Sequence, residues 1–141
     1  MKTTATPTAA RATNVLVLAG TLSAGVHAGL APEHLHEWLP LGAAFVAAAA
    51  AAALGVAALV LRGPSLWPPR VLGALLGSLI VAYASTRLAA LPPLDPEREP
   101  LDVLGVCTSV VEAAGLVAAV SLGRPRNRRR LALTVTPGGT A

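Results

Sequence analysis

The chain has 141 residues, of which 54% are hydrophobic and 13% are charged, and its formal net charge is +4. A water-soluble domain usually has about a quarter of its residues charged, and a disordered chain needs low hydrophobicity. The composition therefore excludes both classes and indicates a protein that is surrounded by lipid. Aromatic residues make up 3% of the chain, too few for a base-stacking surface, so we do not expect nucleic-acid binding.

Four apolar segments follow a polar tail at residues 1–13. They cover about 14–31, 38–61, 71–91 and 101–122, and a basic tail at 123–141 follows them. Each segment approaches the ~20 residues that a helix needs to cross about 30 Å of hydrocarbon. Single strands are excluded because their backbone groups would be unpaired in lipid. We predict an all-α membrane protein with an antiparallel four-helix transmembrane bundle over 14–122.

Proline and glycine residues mark the three connectors between these segments. Pro32 opens the first connector, Gly63 and Pro64 lie in the second, and Pro92 and Pro93 lie in the third. Proline lacks the amide hydrogen that continues a helix, so we expect the helices to end near these residues. Because the connectors are short, consecutive helices should be antiparallel neighbours in an up-and-down bundle.

Charged residues alternate along the chain in a pattern that predicts its orientation. The two tails and the second connector are basic, whereas the first and third connectors are mainly acidic. Basic residues in short loops stay on the cytoplasmic side of a membrane. We therefore expect a bacterial plasma-membrane protein with both termini in the cytoplasm and with Arg124–Arg130 at anionic lipid headgroups.

The first segment has an alternative interpretation as a secretory signal peptide. Its basic tail, its apolar stretch and the small-residue site Val26-His27-Ala28 are typical of such a signal. Cleavage at this site would leave a membrane protein of three helices. Retention of the segment keeps the alternation of charge intact and gives four crossings.

Polar side chains within the predicted spans are costly in lipid and are therefore candidates for function. They are His27 in the first segment, Tyr83 and Arg87 in the third, and Glu112 in the fourth. Side chains lean toward the N-terminus of their own helix, so His27 and Glu112 lean toward each other and can pair. Arg87 can pair with Glu112 or with Asp102. The alternative is that these polar groups only hold the bundle together.

The first connector contains a dense group of imidazole and carboxylate side chains. These are Glu33, His34, His36 and Glu37. Copper and zinc accept such ligands, so one hypothesis is a metal site that also includes His27 and Glu112. A small polar ligand at the same outward-facing group is another hypothesis. A third interpretation is an interfacial turn anchored by Trp38, because the spacing matches no established metal motif.

A resemblance to a protein family rests on short elements spread over residues 15–122. They are H-x4-PEH-x2-EW at 27–38, Ser85-Thr86-Arg87 with Leu91-Pro92, and Glu112 in the last segment. These elements resemble those of small four-helix membrane proteins of actinobacteria that have an H…PEH..EW outer element and an SR..GLP-like element. The resemblance implies the same four-span architecture and implies no particular activity. The chain departs from that pattern at 89–92, where the family has glycine before Leu-Pro.

Two main classes of function follow from the residues. The first is a multi-pass membrane protein whose outward-facing His/Glu cluster binds a metal ion or a small polar ligand. The second is a structural or accessory subunit, in a homo-oligomer or with a different membrane protein. An enzyme is the least favoured class, because the sequence contains no phosphate-binding glycine loop, no G-x-S-x-G and no identifiable nucleophile with its base.

Overall fold

The computed structural model describes residues 7–63, 67–88 and 100–124. Helices make up 94% of these residues, and this part of the chain contains no strand. The helices are α1 (Pro7–Glu37), α2 (Leu39–Arg62), α3 (Trp67–Leu88) and α4 (Val103–Gly123). Each is long and apolar enough to cross a membrane. The predicted all-α four-helix bundle is confirmed.

Contacts between the helices show an antiparallel, up-and-down arrangement. Gly20, in the first half of α1, faces Val56 near the end of α2. Gly73, early in α3, faces Ala119 near the end of α4. Each helix packs against its neighbour in the chain, and α4 closes the ring by packing against α1, which leaves α1 and α3 on a diagonal.

The two ends of the bundle differ in charge. The histidine end comprises the last turns of α1 and α3 and the first turns of α2 and α4, and the arginine end comprises the opposite turns of each helix. The described basic residues at the arginine end are Arg11, Arg62, Arg70 and Arg124. The described acidic residues at the histidine end are Glu33, Glu37 and Asp102. The alternation of charge along the sequence thus corresponds to a difference in net charge between the two ends of the bundle.

The hydrophobic core occupies the half of the bundle nearest the arginine end. Its buried residues are Leu16, Ala19, Leu59, Leu72, Leu76, Ala118 and Ala119. Small residues let the helices approach closely there, since a Cβ atom placed on Gly73 would lie 2.6 Å from the Cβ of Ala119. Because α1 supplies part of this core, cleavage after Ala28 would remove one of its four walls.

Helix α1 extends beyond the predicted segment at both ends. It begins at Pro7 and continues through Pro32 to Glu37, so the expectation that Pro32 opens a connector is wrong. A proline removes one helical hydrogen bond, here the one to the carbonyl of Ala28, and both residues are exposed near the histidine end. Its 31 residues span about 46 Å, which exceeds the ~30 Å hydrocarbon thickness. The predicted tail at 1–13 is helical from Pro7, and residues 1–6 lie outside the described part.

A single residue, Trp38, separates α1 from α2. Its backbone is extended, its amide donates to the carbonyl of His34 (2.8 Å), and its carbonyl accepts from the amide of Gly42 (3.1 Å). A Cβ atom on Gly42 would overlap the backbone of Leu35, so glycine permits this close approach. The acidic and histidine residues at 33–37 therefore lie on the last turns of α1 and not in a loop.

The other helix bounds differ from the predicted spans by a few residues. Helix α3 begins at Trp67, four residues before the predicted start, because Pro68 and Pro69 lie in its first turn, where no helical partner is lost. Helix α4 begins after Asp102, whose carboxylate accepts a hydrogen bond from the amide of Gly105. Residues 92–99 of the predicted third connector and the part of the basic tail after Arg124 lie outside the described residues.

Candidate functional site

Two polar side chains are buried in the interior of the described bundle, Ser23 of α1 and Glu112 of α4. The hydroxyl of Ser23 donates a 2.7 Å hydrogen bond to Oε1 of Glu112. Glu112 is 1% exposed, and it lies about 14 Å along α4 from the start of that helix. A carboxyl group is therefore held halfway through the bundle by a hydroxyl from the facing helix.

The close approach of α1 and α4 brings the short serine side chain within reach of Glu112. Gly115 lies one turn beyond Glu112, and a Cβ atom there would lie 2.6 Å from the Cβ of Ala19. Ala19 is in turn one helical turn before Ser23 on the same face of α1. Small residues on both helices thus position the polar pair.

His27 extends this polar group from Ser23 toward the histidine end. Its Nδ1 lies 2.8 Å from the backbone carbonyl oxygen of Ser23 and 3.5 Å from the Ser23 hydroxyl. A carbonyl oxygen only accepts, so Nδ1 carries a hydrogen, and in the neutral imidazole Nε2 then holds the lone pair. The pairing of His27 with Glu112 that the sequence allows is a bridged arrangement, with Ser23 between the two side chains.

His34 lies two turns further along α1 and forms a separate polar contact. Its Nδ1 is 3.1 Å from Oε2 of Glu37. The ring of Phe45, from α2, lies against both histidines, with centroids 5.3 Å from His27 and 4.3 Å from His34. An aromatic side chain therefore contacts both imidazoles at this end of the bundle.

The six predicted metal ligands do not come together. Glu33 and His36 are exposed, His34 pairs with Glu37, and Glu112 is buried with Ser23. Within residues 7–63, 67–88 and 100–124, no three His, Cys, Asp or Glu side chains form a group that could hold a metal ion. The copper or zinc hypothesis thus has no three-ligand site in the part of the chain that the structure describes.

A third polar cluster joins the end of α3 to the start of α4. Nη2 of Arg87 lies 2.9 Å from Oδ2 of Asp102, and the guanidinium lies 4.6 Å from the centroid of the Tyr83 ring. The Tyr83 hydroxyl also donates to Asp102 at 3.4 Å. Of the two partners that the sequence allows for Arg87, the structure pairs it with Asp102.

Asp102 is held in its charged form by its surroundings. The backbone amide of Gly105 donates to its carboxylate and lowers its pKa, and the charge of Arg87 lowers the pKa further. A Cβ atom on Gly105 would overlap the Tyr83 ring, so the glycine lets α3 and α4 approach here. This cluster therefore fastens two helices together, and its groups are already paired with one another.

Comparison with known proteins adds no homologue to this description. No protein-family model matches the chain, and neither the curated proteins nor the solved structures give a match. The resemblance to small four-helix membrane proteins of actinobacteria therefore stays a prediction.

Proposed function

We propose that this chain is a multi-pass membrane protein that binds a small cation at a buried carboxyl site formed by Ser23, His27 and Glu112. The observation that carries this proposal is the position of Glu112, which is 1% exposed in the centre of the bundle and accepts a hydrogen bond from Ser23. Ionisable side chains inside membrane bundles are rare, and they mark substrate and ion pathways.

The central position of Glu112 requires compensation for its charge. An ionised carboxylate in apolar surroundings is costly, and a single hydroxyl donor offsets only about 1.5–3 kcal/mol of that cost. A bound proton or a bound cation neutralises the group completely. The site is thus suited to exchange a proton for a small cation.

His27 gives the proposed site a direction. The imidazole lies one turn from Ser23 on the side of the histidine end, and its Nε2 lone pair can accept a proton or contact a cation. On the other side of Glu112, the described interior consists of the leucine and alanine core. These contacts support entry from the histidine end and give no support to a continuous channel.

The distribution of charge supports an orientation for this site in the membrane. Four of the five described arginines lie at the arginine end, and the fifth, Arg87, is paired with Asp102 at the histidine end. This excess of positive charge at one end matches the positive-inside pattern. We therefore place the arginine end in the cytoplasm of a bacterial plasma membrane and the histidine end outside. In this orientation the protein senses or handles an external cation.

The experiment that tests this function compares the wild-type protein with Glu112→Gln. The full-length chain in detergent is titrated with Na⁺, K⁺, NH₄⁺, Zn²⁺ and Cu²⁺ while its thermal unfolding is followed. At least one cation should raise the Tm of the wild-type protein and leave the Tm of Glu112→Gln unchanged. The reason is that glutamine keeps an acceptor for the Ser23 hydroxyl but carries no charge to attract a cation. Glu33→Gln, which changes an exposed carboxylate on α1, is the matched control and should respond like wild type. An equal response of wild type and Glu112→Gln would contradict the proposal.

A structural or accessory subunit is the second candidate, and the surface of α2 favours it. Helix α2 is the least buried of the four helices, and its exposed residues include Ala43, Ala47, Ala50 and Ala51. Small residues permit close approach of another membrane helix. In a Cys107→Ala background, oxidation should cross-link Ala50→Cys to a second copy or to a partner. Leu18→Cys, which lies on the exposed surface of α1, is the control and should stay monomeric.

A further inference from the structure

A groove lies between α3 and α4 at the arginine end of the bundle. Its volume is about 370 Å³. Its apolar walls are formed by Gly73, Ala74, Leu116, Ala119, Val120 and Gly123. Arg70 and Arg124 also line it and place two guanidinium groups at one end of an apolar surface.

Small residues open this groove on the flank of a close helix contact. Gly73 and Ala119 form the contact, since a Cβ atom on Gly73 would lie 2.6 Å from the Cβ of Ala119. A Cβ atom on Gly123 would meet nothing within 4 Å, so the space beside that residue is open. A bundle in a membrane presents such an opening to the acyl chains of the surrounding lipid.

Within the described residues, no acidic side chain pairs with either of the two arginines at the groove. Arg70 and Arg124 are exposed, and neither forms an ion pair with a residue in 7–63, 67–88 or 100–124. The sequence has seven acidic residues, and none lies in the connector before Arg70 or after Glu112. Two guanidinium groups with no carboxylate beside them favour an anion, and guanidinium binds phosphate with paired hydrogen bonds.

We propose that this groove binds one anionic phospholipid, with an acyl chain along the apolar wall and the phosphate between Arg70 and Arg124. Basic side chains at the cytoplasmic surface of a membrane attract anionic lipids, and the adjoining apolar wall selects a ligand that also carries a chain. The proposal rests on the membrane orientation given above and not on the cation site at Glu112.

Lipid binding to the full-length protein in detergent, measured by native mass spectrometry, tests this site. The probes are dioleoyl phosphatidylglycerol and dioleoyl phosphatidylcholine, and the wild-type protein should bind the first more tightly. The double variant Arg70→Gln/Arg124→Gln should bind phosphatidylglycerol about 25-fold more weakly, at about fivefold for each arginine. Arg62→Gln changes an exposed arginine at the same end that stacks on Trp67 and does not line the groove, and it should bind within about twofold of wild type.

A groove-filling variant separates the acyl chain from the headgroup. Gly123→Leu adds a side chain where there is open space, so the helical circular dichroism signal should be unchanged while phosphatidylglycerol binding falls. Glycerol 3-phosphate, which has the phosphate without chains, should bind Gly123→Leu and wild type equally. Equal losses in Arg62→Gln and the double variant would overturn the proposal, as would unchanged lipid binding in Gly123→Leu. Glu112→Gln should bind the lipid like wild type, so failure here is distinct from failure of the cation site.

Discussion

The Ser23 hydroxyl lies 2.7 Å from Glu112 Oε1, although the two residues are 89 positions apart in the sequence. This hydrogen bond joins the first helix to the last at the middle of the bundle. The buried pair of Ser23 and Glu112 lies between the leucine core and the histidine end. The arrangement gives Glu112 a fixed position, which both a ligand site and a structural tie require.

Removal of the Ser23 hydroxyl should destabilise the bundle. Ser23→Ala leaves the buried carboxyl without its described donor, and we expect a loss of about 1–3 kcal/mol in the free energy of unfolding. Ser78→Ala removes a hydroxyl that is exposed and bonds to Ala74 of its own helix, so its effect should stay within about 0.5 kcal/mol. Denaturant unfolding in detergent measures both variants. Equal stability of the two variants would show that the Ser23–Glu112 bond contributes nothing.

The contact of α1 with α4 should tolerate no side chain at Gly115. Alanine favours helices over glycine, yet the new Cβ atom would lie 2.6 Å from Ala19 Cβ and from Leu76 Cδ1. Ala19 Cβ cannot move without its backbone, so Gly115→Ala should lower stability by about 1–3 kcal/mol. Gly25→Ala, where the added atom meets nothing within 4 Å, should be neutral or slightly stabilising. A neutral Gly115→Ala variant would contradict the described packing of these helices.

The ion pair of Arg87 and Asp102 should make stability depend on pH in the acid range. The pKa of Asp102 in the folded protein lies below its ordinary value of 3.8. The charged carboxylate therefore stabilises the fold above about pH 3.8, and this contribution is lost as pH falls through the lowered pKa. Asp102→Asn keeps a helix-capping side chain and removes the charge. The stability difference between wild type and Asp102→Asn, measured by denaturant unfolding, should thus shrink below about pH 3.8, and a constant difference would exclude this role.

Surface labelling of intact cells tests the proposed orientation. In a Cys107→Ala background, His36→Cys should react with a membrane-impermeant maleimide from outside. Arg62→Cys lies at the other end of the bundle and should react only after the membrane is permeabilised. Labelling of Arg62→Cys in intact cells would show the opposite orientation.

The intact mass of the purified protein tests whether the first helix is retained. We expect a mass that includes residues 1–28, whereas a mass without them would show that the first segment is a cleaved signal peptide.

Much of the fold follows from hydropathy, because a span of about 20 apolar residues has few alternatives in lipid. The four spans and their antiparallel order could therefore be predicted. The continuation of α1 through Pro32 could not be predicted, since a proline usually ends a helix in a soluble protein but is tolerated within membrane helices. The same error placed Glu37 in a loop, whereas only Trp38 lies between the first two helices.

Less of the candidate site could be predicted, because contacts across helices depend on their rotation and register. Glu112 and His27 could be predicted as candidates, because polar and charged side chains are costly within membrane spans. Ser23 was visible only as a small residue on the same face as His27, and its role as the bridge requires the distance to Glu112. Glu33 and His36 are likewise separated from the other proposed metal ligands because residues 33–37 are helical. The prediction of a loop over these residues gave no information on which side chains share a face.

Infrared difference spectroscopy of the purified full-length protein tests the cation site most directly. Spectra of wild type and Glu112→Gln are recorded with and without each of Na⁺, K⁺, NH₄⁺, Zn²⁺ and Cu²⁺. We expect one or more cations to remove the protonated-carboxyl band of wild type and to produce a carboxylate band, and we expect neither change in Glu112→Gln. A wild-type carboxyl band that no cation alters, or the same difference spectrum in Glu112→Gln, would contradict cation binding at Glu112.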